Sequence, residues 1–188
     1  MGKIVVSQFV TLDGVMEDPG GSEGCDRGGW AFQYERGPEG DQFKLDEVMA
    51  ADALLLGRTT YEGFAAAWPE REGEFADKFN GMRKYVVSST LGDPDWQNST
   101  VISGDVAGAI AKLKDEHDGD ILVNGSASLV RTLIENELVD EIRLMVFPVV
   151  LGEGKRLFTG TDAAKSLTLT DSKPAGETLI LIYEPRAS

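Results

Sequence analysis

Apolar positions in this chain come in short unbroken runs, separated by stretches in which they recur at helical spacing. Ile4, Val5, Val6 and Val10 fall in a β-rich run over 4–10, which Thr11-Leu12-Asp13-Gly14 closes with a turn signal. The run 53–56 is wholly apolar and ends at Gly57, the form of a strand buried on both faces. Tyr85-Val86-Val87-Ser88 and Ile121-Leu122-Val123 repeat that form, and Val101-Ile102 is a weaker pair. A longer run, 142–150, is interrupted by Pro148, which predicts a bulge or an exposed edge there. Runs at 167–169 and 179–183 predict two closing strands with a Lys-Pro-Ala-Gly turn between them.

Between these runs lie the helices. Asp41 is placed to cap one that reaches about Ala50, with Phe43, Val48 and Met49 as its apolar contacts. Thr59 or Thr60 starts a second, stopped by Trp68-Pro69, and a polar third covers 72–79. After Asp105, the residues Val106, Ile110 and Leu113 mark a fourth. Asn124-Gly125-Ser126 turns into a fifth, which carries Leu129, Leu133 and Ile134 and ends near Asn136. Residues 17–40 are rich in Gly, Pro and acids and read as a long loop, with Trp30, Phe32 and Tyr34 as points where it packs down. Short buried strands alternating with helices imply an α/β sheet, parallel where a helix intervenes and antiparallel at the last two strands.

Composition narrows the partners. The 188 residues suit one domain, 1–188, and a net charge of −14 opposes phosphate backbones and anionic membranes, so neither nucleic acid nor a membrane surface is expected as a partner. A single Cys, Cys25, rules out an internal disulfide. The only His, His117, lies in a polar stretch and reads as part of a solvated loop, so neither a Ser-His-Asp triad nor a His-rich zinc site is expected. The N-terminus enters an apolar run without a basic leader, and a cytoplasmic protein is the expectation.

Ligands of such sheets bind beyond the carboxyl ends of the strands, and three of those ends share a character. Gly57-Arg58-Thr59-Thr60 is a Gly turn leading into a helix with an Arg and two hydroxyls. Ser88-Ser89-Thr90 is a hydroxyl cluster, and Asn124-Gly125-Ser126 opens another helix. Free N–H groups at helix N-termini attract anions, and an Arg fork matches a phosphate monoester. Each motif also reads simply as a cap or turn; three at successive strand ends point to a phosphorylated, nucleotide-like ligand. Gly152-x-Gly154 lacks the third Gly of the dinucleotide fingerprint, and no Walker pattern occurs.

These motifs carry a resemblance. Val10-Thr11-Leu12-Asp13-Gly14, the stretch ADALLLGRTTY over 51–61 with Leu56 before its Gly, KYVVSS over 84–89, and 123–158 resemble the dihydrofolate-reductase-like fold. They are most similar to the reductase domain of bacterial bifunctional riboflavin-pathway deaminase-reductases, over nearly the whole chain. The resemblance implies a three-layer α/β architecture: a mostly parallel mixed sheet of about eight strands with an antiparallel C-terminal edge and helices on both faces. It implies an NADPH-dependent reductase, commonly a homodimer, acting on a small pyrimidine- or pterin-like substrate. The nearest named activity is 5-amino-6-(5-phosphoribosylamino)uracil reduction, with dihydrofolate or pterin reduction, or a non-catalytic nucleotide-binding module, as alternatives. By the same resemblance Leu56, Gly57, Arg58, Thr59, Thr60, Ser88 and Ser89 hold the adenosine end and its 2′-phosphate, and Asn124, Gly125, Ser126 and Ala127 hold the pyrophosphate. The family's turn there contains a cis peptide between two Gly residues, where this chain has Asn124-Gly125. The loop 13–18 covers the nicotinamide, with Phe9, Val10 and Met16 as walls.

Asp41, sixteen residues before Gly57, matches the interval between the substrate carboxylate and the Gly-Arg turn of bacterial dihydrofolate reductases. It is therefore either the acid of the site or only a helix cap. Met82, next to Arg83, stands where those reductases carry a folate-binding Arg, and Val123 stands where riboflavin-pathway reductases carry a substrate-binding Glu. Arg58, Arg83 and Lys84 are candidates to reverse the negative field at the cofactor. Lys155-Arg156 either joins them or is a solvated loop.

Overall fold

The computed structural model describes residues 1–186. Its strands are β1 (Ile4–Thr11), β2 (Ala51–Gly57), β3 (Arg83–Val87), β4 (Ser99–Ile102), β5 (Asp120–Val123), β6 (Glu141–Phe147), β7 (Leu167–Ala175) and β8 (Thr178–Pro185). Its helices are α1 (Gly37–Ala50), α2 (Arg58–Ala67), α3 (Glu74–Gly81), α4 (Val106–Glu116) and α5 (Ala127–Glu135). The strands form one sheet in the order β4-β3-β2-β5-β1-β6-β8-β7. From β4 to β6 every pairing is parallel, and β8 and β7 close the edge antiparallel. The α/β pattern, the parallel body and the antiparallel C-terminal edge thus follow the reading of the sequence.

Helices cover both faces. One face packs Ile4, Val6, Leu55, Ile121 and Val123 against Ile110 and Leu113 of α4 and Leu129, Val130 and Leu133 of α5. The other packs Val5, Leu54, Leu56, Val86 and Leu122 against Val48 of α1, Tyr61 of α2 and Phe79 of α3. Beside it, Trp30, Phe147 and Ile180 form a smaller core with Phe9 and Phe43. The apolar runs at 53–56 and 121–123 are 0–1% exposed, as strands covered on both sides must be. No helix among the described residues is long and apolar enough to cross a membrane.

Several boundaries differ from the sequence reading. α1 starts at Gly37, because Pro38 sits in its first turn, where a preset φ and a missing N–H suit a helix start. Asp41 therefore lies inside the helix and caps nothing. β6 stops at Phe147, ahead of Pro148. β7 is longer than expected and takes in Lys173 and Pro174; a proline is tolerated there because β7 is the outer strand. The 17–36 segment is ordered by Asp18, 1% exposed, whose carboxylate accepts from the amides of Glu23 and Cys25. A short 3-10 turn at Trp30–Gln33 then buries Trp30 edge-on to Phe147, at 5.2 Å between centroids. His117 is not solvated: it is 6% exposed, and its Nε2 lies 3.0 Å from the Tyr85 hydroxyl.

Candidate active site

The carboxyl ends of β2 and β5, neighbours in the sheet, bring two helix starts together. α2 begins after Gly57 and α5 after Ser126, and neither start has a side-chain cap. Among the described residues, the first-turn N–H groups of both helices thus lack a capping side chain. Two glycines permit the approach. A Cβ on Gly57 would collide with Ser126 Oγ, and one on Gly125, whose φ is +66°, would collide with the Thr60 side chain. Gln8 of β1 fixes the β5 turn: its Nε2 donates to Gly125 O at 3.0 Å, and its Oε1 accepts from Gly125 N at 3.1 Å. Asn124 Nδ2 donates to Ser7 O at 3.0 Å. Among the described residues no peptide is cis, the Asn124–Gly125 bond included.

Arg58, at the first position of α2, lies half-exposed beside this turn. Its guanidinium donates to Glu62 Oε1 at 2.7 Å and to Thr90 Oγ1 at 2.6 Å. Ser88 Oγ accepts from the amides of Thr90 and Leu91, which folds the loop after β3 towards Arg58. Arg58, Thr90 and Ser88 are therefore one connected group, with Thr59 and Ser89 exposed next to it. Gly57, Thr60, Asn124, Gly125 and Ser126 form the other half of the cradle. Leu56 is fully buried in the core, so its side chain does not reach the cradle surface.

The loop after β1 is tied down on the far side of the strand. Asp13 accepts from Thr11 Oγ1 at 2.6 Å, Gly152 N at 2.8 Å and Leu151 N at 3.2 Å. The Thr11 hydroxyl and those amides hold its carboxyl down at a pKa of about 2. Arg156 Nε donates to Asp13 O at 3.1 Å, and Lys155 pairs with Glu17 at 3.5 Å. Lys155-Arg156 is thus an exposed loop that anchors 13–17. Val10 and Met16, expected as nicotinamide walls, are buried in the α4–α5 core and face away from Phe9. Phe9 alone of the three is half-open, with Arg36 Cζ 5.5 Å and Lys44 Nζ 5.3 Å from its ring centroid.

The RibD C-terminal domain model matches this chain over residues 2–181. The chain belongs to the RibD C-terminal domain family. The uncharacterized protein YyaP of Bacillus subtilis is 31% identical over 176 residues, 91% of this chain and 88% of that protein. Among solved structures, a putative riboflavin biosynthesis protein from Shewanella sp. PV-4 superimposes with a TM-score of 0.80 at 18% identity, covering all of both chains. Enterococcus faecalis dihydrofolate reductase, complexed with NADP(H), has a TM-score of 0.53 at 16% identity and covers 99% and 98% of the two chains. The fold is dihydrofolate-reductase-like.

Within this RibD C-terminal domain, three positions do not do what the sequence suggested. Asp41 Oδ1 accepts from Arg36 Nε at 2.8 Å, and its side chain is 66% exposed. No cage surrounds that carboxylate, and its contact with the site runs through Arg36, over Phe9. Lys84 is wholly buried under Trp96, and Arg83 opens β3 at the amino end of the strands, so neither adds charge to the cradle. Met82 and Val123 are core residues, 6% and 0% exposed. The sequence reading also missed Ser7, Lys44, Glu47 and Arg143, which meet beneath α1. A Lys and a Glu three apart on a polar helix look like a surface pair, and only the sheet below decides otherwise.

Proposed function

We propose that this protein is an NADPH-dependent oxidoreductase that reduces a small pyrimidine- or pterin-like heterocycle. The nearest named activity is 5-amino-6-(5-phosphoribosylamino)uracil reduction. The observation that supports this reading is the pair of uncapped helix starts, packed together through Gly57 and Gly125 with Arg58 beside them. Backbone donors at two adjacent helix N-termini suit a pyrophosphate, and a guanidinium flanked by hydroxyls suits a phosphate monoester. The donor set therefore fits a phosphorylated dinucleotide.

Gly125, Ser126 and Ala127 would hold the pyrophosphate, and Arg58, Thr59, Ser88 and Ser89 the 2′-phosphate. Asn124 and Thr60 shape the turn between them. Bound NADPH would supply a hydride. The chain's own part is to orient: Gln8 and Asn124 lock the β5 turn onto β1, and the tethered 13–17 loop closes the far side of that strand. Arg58 must exchange Glu62 for the phosphate, so selectivity depends on how cheaply that exposed pair opens.

The same reading treats 1–188 as one reductase domain acting as a cytoplasmic homodimer. Leu169 and Leu179, 50% and 40% exposed, lie on the sheet face that also carries Leu181 and Tyr183; this apolar stripe favours self-association, which sedimentation velocity tests. The deciding experiment is a titration with NADPH and NADH followed by cofactor fluorescence and thermal stability. Micromolar binding that prefers NADPH is expected, with Arg58→Ala lowering NADPH affinity about tenfold or more and NADH affinity little. No binding of either cofactor, or equal losses in the variant, overturns the reading.

A further inference from the structure

The cradle accounts for a cofactor and leaves the substrate side without an assigned side chain. α1 lies over β1 on the face that carries Phe9, and it turns Lys44 and Glu47 down towards Ser7. Glu47 is 3% exposed. Its Oε2 accepts from Ser7 Oγ at 3.0 Å and from Lys44 Nζ at 2.5 Å. Its Oε1 is buried, accepts no hydrogen bond among the described residues, and lies 3.6 Å from the Arg143 guanidinium. Arg143 is itself engaged by Glu141 and by Asp120, the latter at 3.3 Å.

Lys44 Nζ also donates to Ser7 Oγ at 2.7 Å. An ammonium carries three hydrogens, and among the described residues only these two acceptors take one. The third has no oxygen or nitrogen acceptor among the described residues, at a side chain that is still 14% exposed and whose Nζ lies 5.3 Å from the centroid of the half-open Phe9 ring. Ser7 joins this cluster to the cradle, because its carbonyl accepts from Asn124. Burying such a pair costs desolvation, and apolar residues would fill the same space at least as well.

We propose that Lys44 is the substrate-contacting hydrogen-bond donor of this site, positioned by Glu47 and Ser7. It takes a planar heterocycle that presents a carbonyl oxygen or an unprotonated ring nitrogen beside Phe9, Arg36 and Lys44. The inference rests on the reductase reading, since the cradle sets the cofactor on the Asn124 side of the same strand. Lys44 thereby replaces Asp41 as the polar group that faces substrate, and Asp41 orients Arg36.

The test uses 5,6-diaminouracil and pterin as probes, titrated calorimetrically into the full chain saturated with NADP⁺. Lys44→Met alone strands Glu47 in the interior, so the decisive variant is Lys44→Met with Glu47→Gln, which removes both charges. The expected result is a folded protein with NADPH affinity within about twofold of the parent and probe affinity about tenfold lower or worse, as loss of a charge-assisted bond requires. Lys44→Arg should recover part of the probe affinity, which a purely structural role for Lys44 does not predict. Unchanged probe affinity in the double variant overturns the proposal, and so does a parent protein that binds NADPH but neither probe. A parent that binds no NADPH overturns the reductase reading, and the proposal falls with it.

Discussion

Replacing Lys84 by Met tests how much a buried ammonium without a carboxylate partner contributes to this fold. Lys84 is 0% exposed, and its Nζ donates to Asn80 O at 2.6 Å, Met82 O at 2.9 Å and Gln97 O at 3.1 Å. It lies 4.2 Å from the centroid of Trp96. Two of the carbonyls belong to the end of α3 and the third to the approach to β4, so one side chain closes a helix and ties it across the sheet. Met has nearly the same shape and no donor. Three hydrogen bonds to a charged group set an upper bound of about 5–9 kcal/mol. Releasing the ammonium from burial offsets a few kcal/mol of that, and Asn80 O keeps a bond from Gln97 Nε2. The expected net loss at pH 7 is about 2–4 kcal/mol by urea unfolding.

The pH dependence separates the two contributions. Burial pushes the Lys84 pKa down from 10.5 to about 8. Below pH 8 both folded and unfolded chains carry the proton, and this group adds no slope. Between 8 and 10.5 the folded chain binds fewer protons, so the stability of the parent rises with pH relative to the variant. The penalty of Lys84→Met should therefore grow by about 1–2 kcal/mol from pH 7 to pH 9.5. A penalty under about 1 kcal/mol at pH 7 would refute the dependence of the three carbonyls on Lys84. A penalty that shrinks at pH 9.5 would refute burial as what lowers its pKa.

Gly125→Ala should cost about 1–3 kcal/mol and, on the reading proposed above, weaken NADPH binding, because φ of +66° and the Thr60 side chain both oppose a Cβ there. Adding Thr60→Ala should restore part of the loss in thermal unfolding, and no restoration would mean that strain alone sets it. Asp13→Asn should speed amide exchange at Gly152, whose N–H the carboxylate accepts. In the parent, the contribution of Asp13 is complete above its unfolded pKa of 3.8 and is lost as pH falls through about 2. Exchange at Gly152 corrected for intrinsic rate should accelerate in that window for the parent and be fast throughout for the variant. Trp30→Ala should cost about 3–5 kcal/mol and expose the 17–36 segment to limited proteolysis, since the ring closes on Phe147 and its Nε1 holds Glu17 O.

The sheet was legible because its signal is local. A strand covered on both faces has to be apolar throughout, and 53–56 and 121–123 say so without help from the rest of the chain. The cradle was legible for a related reason: Gly57 and Gly125 answer to the chain's own turns, and their motifs stand where the strands end. What escaped are residues whose environment comes from afar. His117 is buried because Tyr85, 32 positions away, reaches its ring. Lys84 reads as a cation for the cofactor, yet its acceptors come from the end of α3 and from the approach to β4. α1 buries only Gly40, Glu47 and Val48, so no apolar stripe reveals which of its sides faces the sheet.

That last failure bears on substrate. By the resemblance drawn from the sequence, Met82 and Val123 stand where similar reductases carry substrate-binding charges, and both are sealed in the core. Neither can be regained by a side-chain rotation, because each packs among apolar neighbours on the sheet. On the reading proposed above, recognition comes from another element, and α1 is the one that sets charged side chains against β1 next to the cradle. Its charges are nearly neutralised in place: Lys44 by Glu47, Glu47 further by Arg143, and Arg36 by Asp41. A site so balanced offers hydrogen bonds rather than net charge. On the reading proposed above it should therefore favour an uncharged ring with a polar edge over a polyanionic substrate. Competition between pterin and a glutamate-bearing folate tests this directly, because a folate that binds much more tightly through its carboxylates would contradict it.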